Sequence, residues 1–254
     1  MPKVEALRVE RVRKTFGGVI ALDEVSLRID EGEFVGLIGP NGSGKTTLFN
    51  VISGIYKPDR GEVYLYGERI TGLPPYELYK KGLVRGFQIP RLWKGMTVVE
   101  NAATATRVLY GETPIDALFR KGRWKRWEMN LTKNLHKMLR KLDILHVGLN
   151  KADSVSGGQM KLTDISRALS GEARILLLDE PTAGVAPRLA RDIFDHLLKL
   201  NKEGLTMFVI EHRLEVLFDY VERVIVMHEG RILVEGTPDE VAKDPRVLDA
   251  YLGG

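Results

Sequence analysis

The 254-residue chain contains no cysteine, which excludes disulfide bonds, cysteine-ligated zinc and catalysis by a thiol. Glutamine is also rare and occurs only at positions 88 and 159. Apolar runs are short, as in the ILLL of Ile175–Leu178, and none is long enough to cross a bilayer. The charged first ten residues do not resemble a secretory signal. We therefore expect a cytosolic protein that reaches a membrane only through a partner.

Short apolar runs typical of strands alternate with helical patterns along most of the chain. From about residue 93 to residue 171 the strand pattern is lost, and apolar residues recur at spacings of three and four. The sequence thus predicts an α/β core that is interrupted by a helical insert and then resumed. The predicted strands are Ala6–Val12, Val25–Ile29, Phe34–Ile38, Gly61–Tyr66, Ile175–Leu178, Thr206–Ile210, Arg223–His228 and Arg231–Glu235.

A phosphate-binding loop is encoded by GPNGSGKT at Gly39–Thr46, which fits G-x-x-x-x-G-K-[ST] at every position. The loop follows a predicted strand and opens a predicted helix, as the motif requires. Backbone N–H groups of such a loop and the positive end of the helix dipole bind phosphate oxygens. We expect Lys45 to reach the terminal phosphates and Thr46 to offer its hydroxyl to Mg²⁺. A glycine turn that only caps a helix is the disfavoured alternative.

A pair of carboxylates ends the apolar strand in ILLLDEP. Asp179 is placed to hold Mg²⁺ through water, and Glu180 to orient and deprotonate an attacking water. A charged strand end is common by itself. The phosphate-binding loop in the same chain is the reason to assign these carboxylates a functional role. NKAD at 150–153 resembles a guanine-recognition motif, but the D-x-x-G that should precede it is missing. We therefore interpret that segment as a loop and not as part of a GTPase.

Further motifs resemble those of ATP-binding-cassette (ABC) ATPases and occur along the chain in the order expected for that family. VSGGQ at Val155–Gln159 is similar to their signature sequence, with valine in place of the usual leucine, and MKLTDISRAL fits the helix that follows. Gln88 in RGFQIPRLWKGMTVVENA fits the loop before the helical insert. His212 in FVIEHRLEVL fits the switch histidine, and Phe16 in VRKTFGGVIALDEVSL fits the aromatic residue that stacks on adenine.

The resemblance extends from about Val9 to Gly236 and implies an α/β fold: a P-loop NTPase core with an antiparallel β subdomain and an inserted α-helical subdomain. We expect one ABC ATPase domain with 1–92 and 172–238 as the nucleotide-binding core, 93–171 as the helical subdomain and 239–254 as a C-terminal tail. The implied ligands are ATP and Mg²⁺. The implied ATP-binding residues are Phe16, Gly39, Pro40, Asn41, Gly42, Ser43, Gly44, Lys45, Thr46 and Thr47.

In this family two cassettes pair head to tail, and the signature of one subunit binds the ATP of the other. A hydroxyl, backbone N–H groups and a helix N-terminus would meet the γ-phosphate there, although a serine at this position alone would be an ordinary helix cap. The residues assigned to the partner's ATP are Ser156, Gly157, Gly158 and Gln159. The implied catalytic residues are Glu180, His212 and Gln88, and the implied Mg²⁺ ligands are Thr46, Gln88 and Asp179.

The loop after Glu180 departs from the family pattern, in which a serine-containing loop ends in aspartate. Here the loop is TAGVAP, with Ala183 and Ala186 at those positions. The departure affects the contacts expected with the opposite subunit. Because Glu180 itself is present, the resemblance still implies an active ATPase.

Several segments resemble the ATPase subunits of branched-chain, hydrophobic amino acid importers, including KTFGGVIALDEVSL, DEPTAGVAP and the stretch Val209–Val241. This resemblance implies permease subunits as partners, a second cassette that is the same or a different chain, and indirectly an extracytoplasmic solute-binding protein. It also implies a peripheral position on the cytoplasmic face of the membrane and no nucleic acid partner. Two alternatives stay open, an ATPase of lipopolysaccharide export and a soluble ATPase of iron–sulfur assembly.

Overall fold

The computed structural model describes residues 4–86, 91–106 and 121–252. The chain divides into a larger unit, formed by 1–88 and 174–254, and a smaller unit, formed by 89–173. The larger unit is built on two β-sheets. Within the described ranges, no helix combines the length and the apolar character needed to cross a bilayer.

The elements alternate along the chain. The strands are β1 (Glu5–Phe16), β2 (Val19–Asp30), β3 (Phe34–Ile38), β4 (Arg60–Leu65), β5 (Glu68–Arg69), β6 (Leu83–Gly86), β7 (Ile175–Asp179), β8 (Thr206–Ile210), β9 (Arg223–His228) and β10 (Arg231–Gly236). The helices are α1 (Lys45–Ile52), α2 (Pro75–Lys80), α3 (Val98–Ala103), α4 (Lys121–Lys141), α5 (Gly157–Ser170), α6 (Pro187–Lys202), α7 (Leu214–Leu217), α8 (Pro238–Lys243) and α9 (Pro245–Leu252).

The first sheet is antiparallel, with the strand order β2-β1-β4-β5. In β2 the buried residues Val25, Leu27 and Ile29 alternate with the exposed Ser26 and Arg28. Successive side chains of a strand point to opposite faces, so this alternation places one face of the sheet on the core and the other in solvent.

The second sheet has the order β10-β9-β3-β8-β7-β6, and β3, β8 and β7 run parallel to one another. Every residue of these three strands is buried, as is usual for a parallel sheet with both faces covered. Since their carboxyl ends meet at one edge, the residues that follow them are brought together there. These residues are Gly39 after β3, Glu180 after β7 and Glu211 after β8.

The predicted bounds of β3, β8 and β9 agree with the structure residue for residue. The strands β1 and β2 are longer than predicted, because their ends carry polar residues that hide the alternation. Two strands, β5 and β6, were not predicted. The former is two exposed charged residues, and the latter is a four-residue strand that contains an arginine and a glycine.

The smaller unit is helical in its described part, as the loss of the strand pattern predicts. The N-terminus of α3 is closed by a capping box, in which Thr97 Oγ1 accepts from the N–H of Glu100 and the Glu100 carboxylate accepts from the N–H of Thr97. Such a reciprocal pair satisfies two donors that a helix start leaves open. The unit ends in α5, the helix that follows the signature sequence.

Candidate functional site

The loop Gly39–Thr46 joins β3 to α1 and lies very close to neighbouring backbone at two glycines. At Gly39, where φ is +148°, a Cβ would be 2.1 Å from the carbonyl oxygen of Met227. At Gly44, where φ is +101°, it would be 2.5 Å from the carbonyl oxygen of Ala21. Neither place has room for a side chain, so the path of the loop requires glycine at both.

The Lys45 side chain is buried and folds back over the loop. Its Nζ donates to the carbonyl oxygens of Gly39 and Pro40, both at 2.8 Å, and to Ser43 Oγ at 3.3 Å. Burial lowers the pKa of Lys45, while the nearby carboxylates of Glu180 and Asp179 act in the opposite direction. The ammonium group is therefore a poorly hydrated cation that oxygen atoms surround, a setting in which phosphate oxygens are strong competing acceptors.

The N-terminus of α1 is open to an anion. Its N-cap, Gly44, makes no side-chain cap, and no acidic residue lies in the first turn. The first N–H groups of a helix have no partner within the helix, and together with the helix dipole they attract negative charge. Of the other assigned residues, Asn41, Gly42 and Thr46 are exposed, Pro40 and Thr47 are half-buried, and Ser43 is buried.

The two carboxylates at the end of β7 differ in their surroundings. Asp179 is 8% exposed. Glu180 has a left-handed backbone with φ of +50°, and its N–H donates to the Ile210 carbonyl at 2.9 Å. Its Oε1 lies 3.0 Å from His212 Nε2, and the two side chains are 23% and 41% exposed. A carboxylate and an imidazole in contact, with access to solvent, can hold a water molecule and accept its proton.

Asp179 pairs with an arginine that sequence reasoning missed. The Nη2 of Arg85 on β6 lies 2.9 Å from Asp179 Oδ2, and the two side chains are only 11% and 10% exposed. A single arginine inside the apolar strand LVRG was the only available sign in the sequence, because burying a charge requires a partner.

A second missed residue is Glu211, which is 3% exposed. Its Oε2 accepts from Thr182 Oγ1 at 2.7 Å, and its Oε1 accepts from the N–H of His212 at 2.9 Å. Glu211 thus ties the loop after Glu180 to the backbone that carries His212. Its position next to His212 in VIEHR was the sign that could have identified it.

Phe16 lies at the end of β1 and is 42% exposed. Tyr56 packs against it edge to face, with the ring centroids 5.2 Å apart. Lys14 Nζ lies 5.3 Å from the centroid of the Phe16 ring and pairs with Asp59 at 3.0 Å. These contacts fix the orientation of an aromatic ring that is still open to solvent, which is what a stacking platform for a base needs.

The signature residues lie in the smaller unit at the start of α5. Ser156 is the N-cap, with Oγ 3.3 Å from the N–H of Gln159, and Gln159 Oε1 accepts from the N–H of Ser156 at 2.9 Å. Gly157 is exposed and Gly158 is buried. The serine therefore has the ordinary capping role in the isolated chain. Gln88, the remaining predicted catalytic and metal-binding residue, lies outside the described residues.

The residues at this edge of the sheet fit a nucleotide phosphate and a Mg²⁺ ion. The buried ammonium of Lys45 and the uncapped helix N-terminus can donate to phosphate oxygens. The exposed hydroxyl of Thr46 and the carboxylate of Asp179 offer oxygen ligands to the metal. In the described parts of the chain, no group of three or more His, Cys, Asp and Glu side chains could hold a metal ion alone. Mg²⁺ typically binds through one or two protein groups plus substrate phosphates, which agrees with this donor set.

Two family models match the chain. The model described as "ABC transporter" matches residues 22–183. The model described as "Branched-chain amino acid ATP-binding cassette transporter" matches residues 231–254. The first match includes both the phosphate-binding loop and the carboxylate pair, and the second covers the C-terminal strand and helices.

Curated relatives match the chain over nearly its whole length. A protein of Methanocaldococcus jannaschii, "Probable branched-chain amino acid transport ATP-binding protein LivG", is 44% identical over 254 residues and covers 98% of each chain. The "High-affinity branched-chain amino acid transport ATP-binding protein BraF" of Pseudomonas aeruginosa is 35% identical and covers 97% of each chain. The relatives are thus similar in length as well as in sequence.

Solved structures of two similar chains share the fold. A crystal structure of the ADP conformation of an ATP-binding cassette of an ABC transporter is 43% identical, covers 98% of this chain and 99% of that chain, and has a TM-score of 0.86. A crystal structure of a nucleotide-free ATP-binding cassette from an ABC transporter is also 43% identical, covers 98% and 100%, and has a TM-score of 0.85.

Proposed function

The chain belongs to the ABC transporter family, and from this premise we propose that it is the ATP-hydrolysing subunit of an importer for branched-chain or other hydrophobic amino acids. The observation that supports the ATPase most directly is the cluster at the edge of the parallel sheet. There the buried Lys45 lies over the phosphate-binding loop, and Glu180 contacts His212. The predicted family and fold class are confirmed.

The substrate class rests on the relatives. The curated relatives at 44% and 35% identity are named as branched-chain amino acid transport proteins. A branched-chain family model also matches 231–254, outside the part that the general family model matches. These matches favour the importer over lipopolysaccharide export and over iron–sulfur assembly. The particular amino acid is chosen elsewhere in such an importer, because an ATPase subunit need not touch the solute.

Binding of ATP follows from the groups of the loop. Lys45 exchanges the carbonyl oxygens of Gly39 and Pro40 for oxygens of the terminal phosphates. The first N–H groups of α1 donate to the same phosphates and stabilise their charge through the helix dipole. Phe16, held by Tyr56, stacks on the adenine ring.

Hydrolysis follows from the carboxylate and the histidine. Glu180 accepts a proton from the attacking water, and His212, 3.0 Å away, holds the water and the γ-phosphate in line. Glu211 fixes the backbone of His212 by accepting its N–H. Thr46 and Asp179 would hold Mg²⁺, which supplies positive charge that neutralises the phosphates.

The signature residues serve a second cassette in this proposal. Ser156 and the first N–H groups of α5 would meet the γ-phosphate of ATP bound to the other subunit. In the capping box the Ser156 oxygen accepts from the N–H of Gln159, so its O–H hydrogen stays available to donate to a phosphate oxygen of the partner's ATP. Permease subunits would receive the movement at the cytoplasmic face of the membrane, with an extracytoplasmic solute-binding protein acting indirectly.

The variant Glu180→Gln tests the catalytic role. Glutamine has the shape of glutamate but no carboxylate to accept the proton, so we expect ATP binding to persist and turnover to fall at least about 100-fold. Because ATP is bound but barely hydrolysed, we also expect the variant to accumulate as a closed dimer. Equilibrium binding measures the affinity, phosphate release measures the turnover, and the mass of the particle in Mg-ATP measures dimer formation. The matched control is Glu222→Gln at an exposed position of the same unit, which should leave turnover unchanged. Rapid turnover by Glu180→Gln would remove Glu180 as the base, and a monomer in saturating Mg-ATP would contradict pairing of this chain with a second copy of itself.

Transport is tested by the partners. The protein is tagged in its own cells, the membranes are gently solubilised, and the copurifying proteins are identified by mass spectrometry. We expect permease subunits and a second cassette. Recovery of the protein in the soluble fraction together with assembly factors would be compatible with ATP hydrolysis but would contradict the proposed role in import.

A further inference from the structure

A buried cation lies against the carboxylate that we assign to the metal. Arg85 Nη2 and Asp179 Oδ2 are 2.9 Å apart, and about nine-tenths of each side chain is inaccessible to solvent. Water and salt screen a pair at this depth much less than a pair at the surface. The charge of Arg85 must therefore influence anything else that approaches Asp179.

The guanidinium group of Arg85 is held in place by α1, the helix that begins at the phosphate-binding loop. Its Nη1 donates to Asn50 Oδ1 at 2.6 Å and to Ser53 Oγ at 3.2 Å, and its Cζ lies 5.8 Å from the centre of the Phe49 ring. None of these contacts depends on Asp179. The cation is thus positioned by the helix and stays beside Asp179 whatever else that carboxylate binds.

We propose that Arg85 is the internal counter-cation of Asp179 and that it sets how strongly nucleotide binding depends on Mg²⁺. Without the metal, Arg85 neutralises Asp179, so that phosphates meet no bare carboxylate at the site. With the metal, Arg85 repels the divalent cation and shares the carboxylate with it, which limits the affinity for Mg²⁺. Arg85 is a positioning residue, and the inference rests on the proposed function because it takes Asp179 as a metal-site residue.

The test measures the dissociation constant for ADP by calorimetry, once in EDTA and once in excess Mg²⁺, and no hydrolysis is involved. The ratio of the two, the dissociation constant in EDTA divided by the constant in Mg²⁺, gives the factor by which the metal strengthens ADP binding. In Arg85→Met the unbranched apolar stem is approximately kept, but the guanidinium group is lost together with its charge. We expect ADP binding in EDTA to weaken and the ratio to rise at least roughly five-fold, equivalent to about 1 kcal/mol.

Two controls separate charge from shape. Arg85→Lys keeps the positive charge but loses the planar fork, and its ratio should stay near that of the wild type. Arg191→Met removes the same charge at the surface, where Arg191 pairs with Asp219 at 2.7 Å and both side chains are more than half exposed, and it should have no effect. If Arg85→Met does not fold, Arg85→Gln is measured in its place, with the same expected rise.

An unchanged or smaller ratio in Arg85→Met would overturn the inference, and so would an Arg85→Lys that behaves like Arg85→Met. Failure of both neutral variants to fold would show that the arginine serves the fold and not the metal dependence. A wild-type protein that binds ADP in neither condition would instead remove the proposed function. The two failures are thus distinguishable.

Discussion

Thr182→Val should measure what Glu211 contributes to the site. Thr182 is fully buried, and its Oγ1 donates to Glu211 Oε2 at 2.7 Å. Valine has nearly the same shape as threonine but no hydroxyl, so the change removes one hydrogen bond and leaves the packing volume intact. After the substitution, Glu211 Oε2 keeps only a long hydrogen bond from the backbone N–H of residue 182, at 3.4 Å.

The expected loss follows from the burial of the acceptor. A hydrogen bond to a charged group contributes about 1.5–3 kcal/mol to stability. We therefore expect the free energy of unfolding to fall by about 2 kcal/mol, which for a chain of this size lowers Tm by about 4–8 °C. Turnover should fall as well, because Glu211 also accepts from the N–H of His212 and a less firmly held carboxylate positions His212 less well.

Thermal unfolding followed by circular dichroism, without nucleotide, measures the stability, and phosphate release measures the turnover. The control is Thr132→Val, which removes a hydroxyl hydrogen bond to the Glu128 carbonyl on the exposed side of α4. That change should cost less than about 0.5 kcal/mol. If Thr182→Val has the same Tm as the control variant, the hydrogen bond from Thr182 to Glu211 does not contribute the expected stability.

Two further predictions concern stability. Hydrogen bonds from Lys14 and Thr15 lower the pKa of Asp59 from 3.8 to about 2, so its contribution is present above pH 3.8 and is lost as the pH falls towards about 2. The Tm difference between the wild type and Asp59→Asn should close over that range, and a constant difference would contradict the cause. Ala186 is the exposed N-cap of α6 and has no side-chain cap, so Ala186→Asp should stabilise the protein by about 1 kcal/mol. Ala186→Asn should act alike in thermal unfolding, and no increase in either would mean that the cap does not form.

What the sequence predicted well depends on neighbours along the chain. The phosphate-binding loop occupies eight consecutive positions from Gly39 to Thr46, and Asp179 and Glu180 are adjacent. The strand that was predicted before each motif is present in the structure, so the position of both motifs in the fold follows from local spacing. The strands β3 and β8 were predicted for the same reason, since a short unbroken apolar run between turn residues is typical of a strand that is buried on both faces.

The sequence did not predict the contacts between side chains that lie far apart along the chain. Arg85 and Asp179 are 94 positions apart, and Thr182 and Glu211 are 29 apart. Only the parallel order of β6, β7 and β8 brings their side chains together. The roles in catalysis and ligand binding assigned to all the site residues, Lys45 and Glu180 as well as Gln88 and Phe16, stay predictions, because they concern ligands and a second subunit that contacts within one chain do not test.

The charged side chains assigned to this site are already satisfied by groups of the same chain. Lys45 donates to loop carbonyls, Asp179 pairs with Arg85, and Glu180 contacts His212. An isolated buried charge costs several kcal/mol, so the fold must provide such partners. In the proposed function, ATP would replace the loop carbonyls as the acceptors of Lys45, while Arg85 would stay beside Asp179 and share it with Mg²⁺, so that affinity would depend on the contacts that are lost and on those that remain. It follows that a substitution of an internal partner such as Arg85 should change nucleotide affinity even though Arg85 does not need to touch the nucleotide.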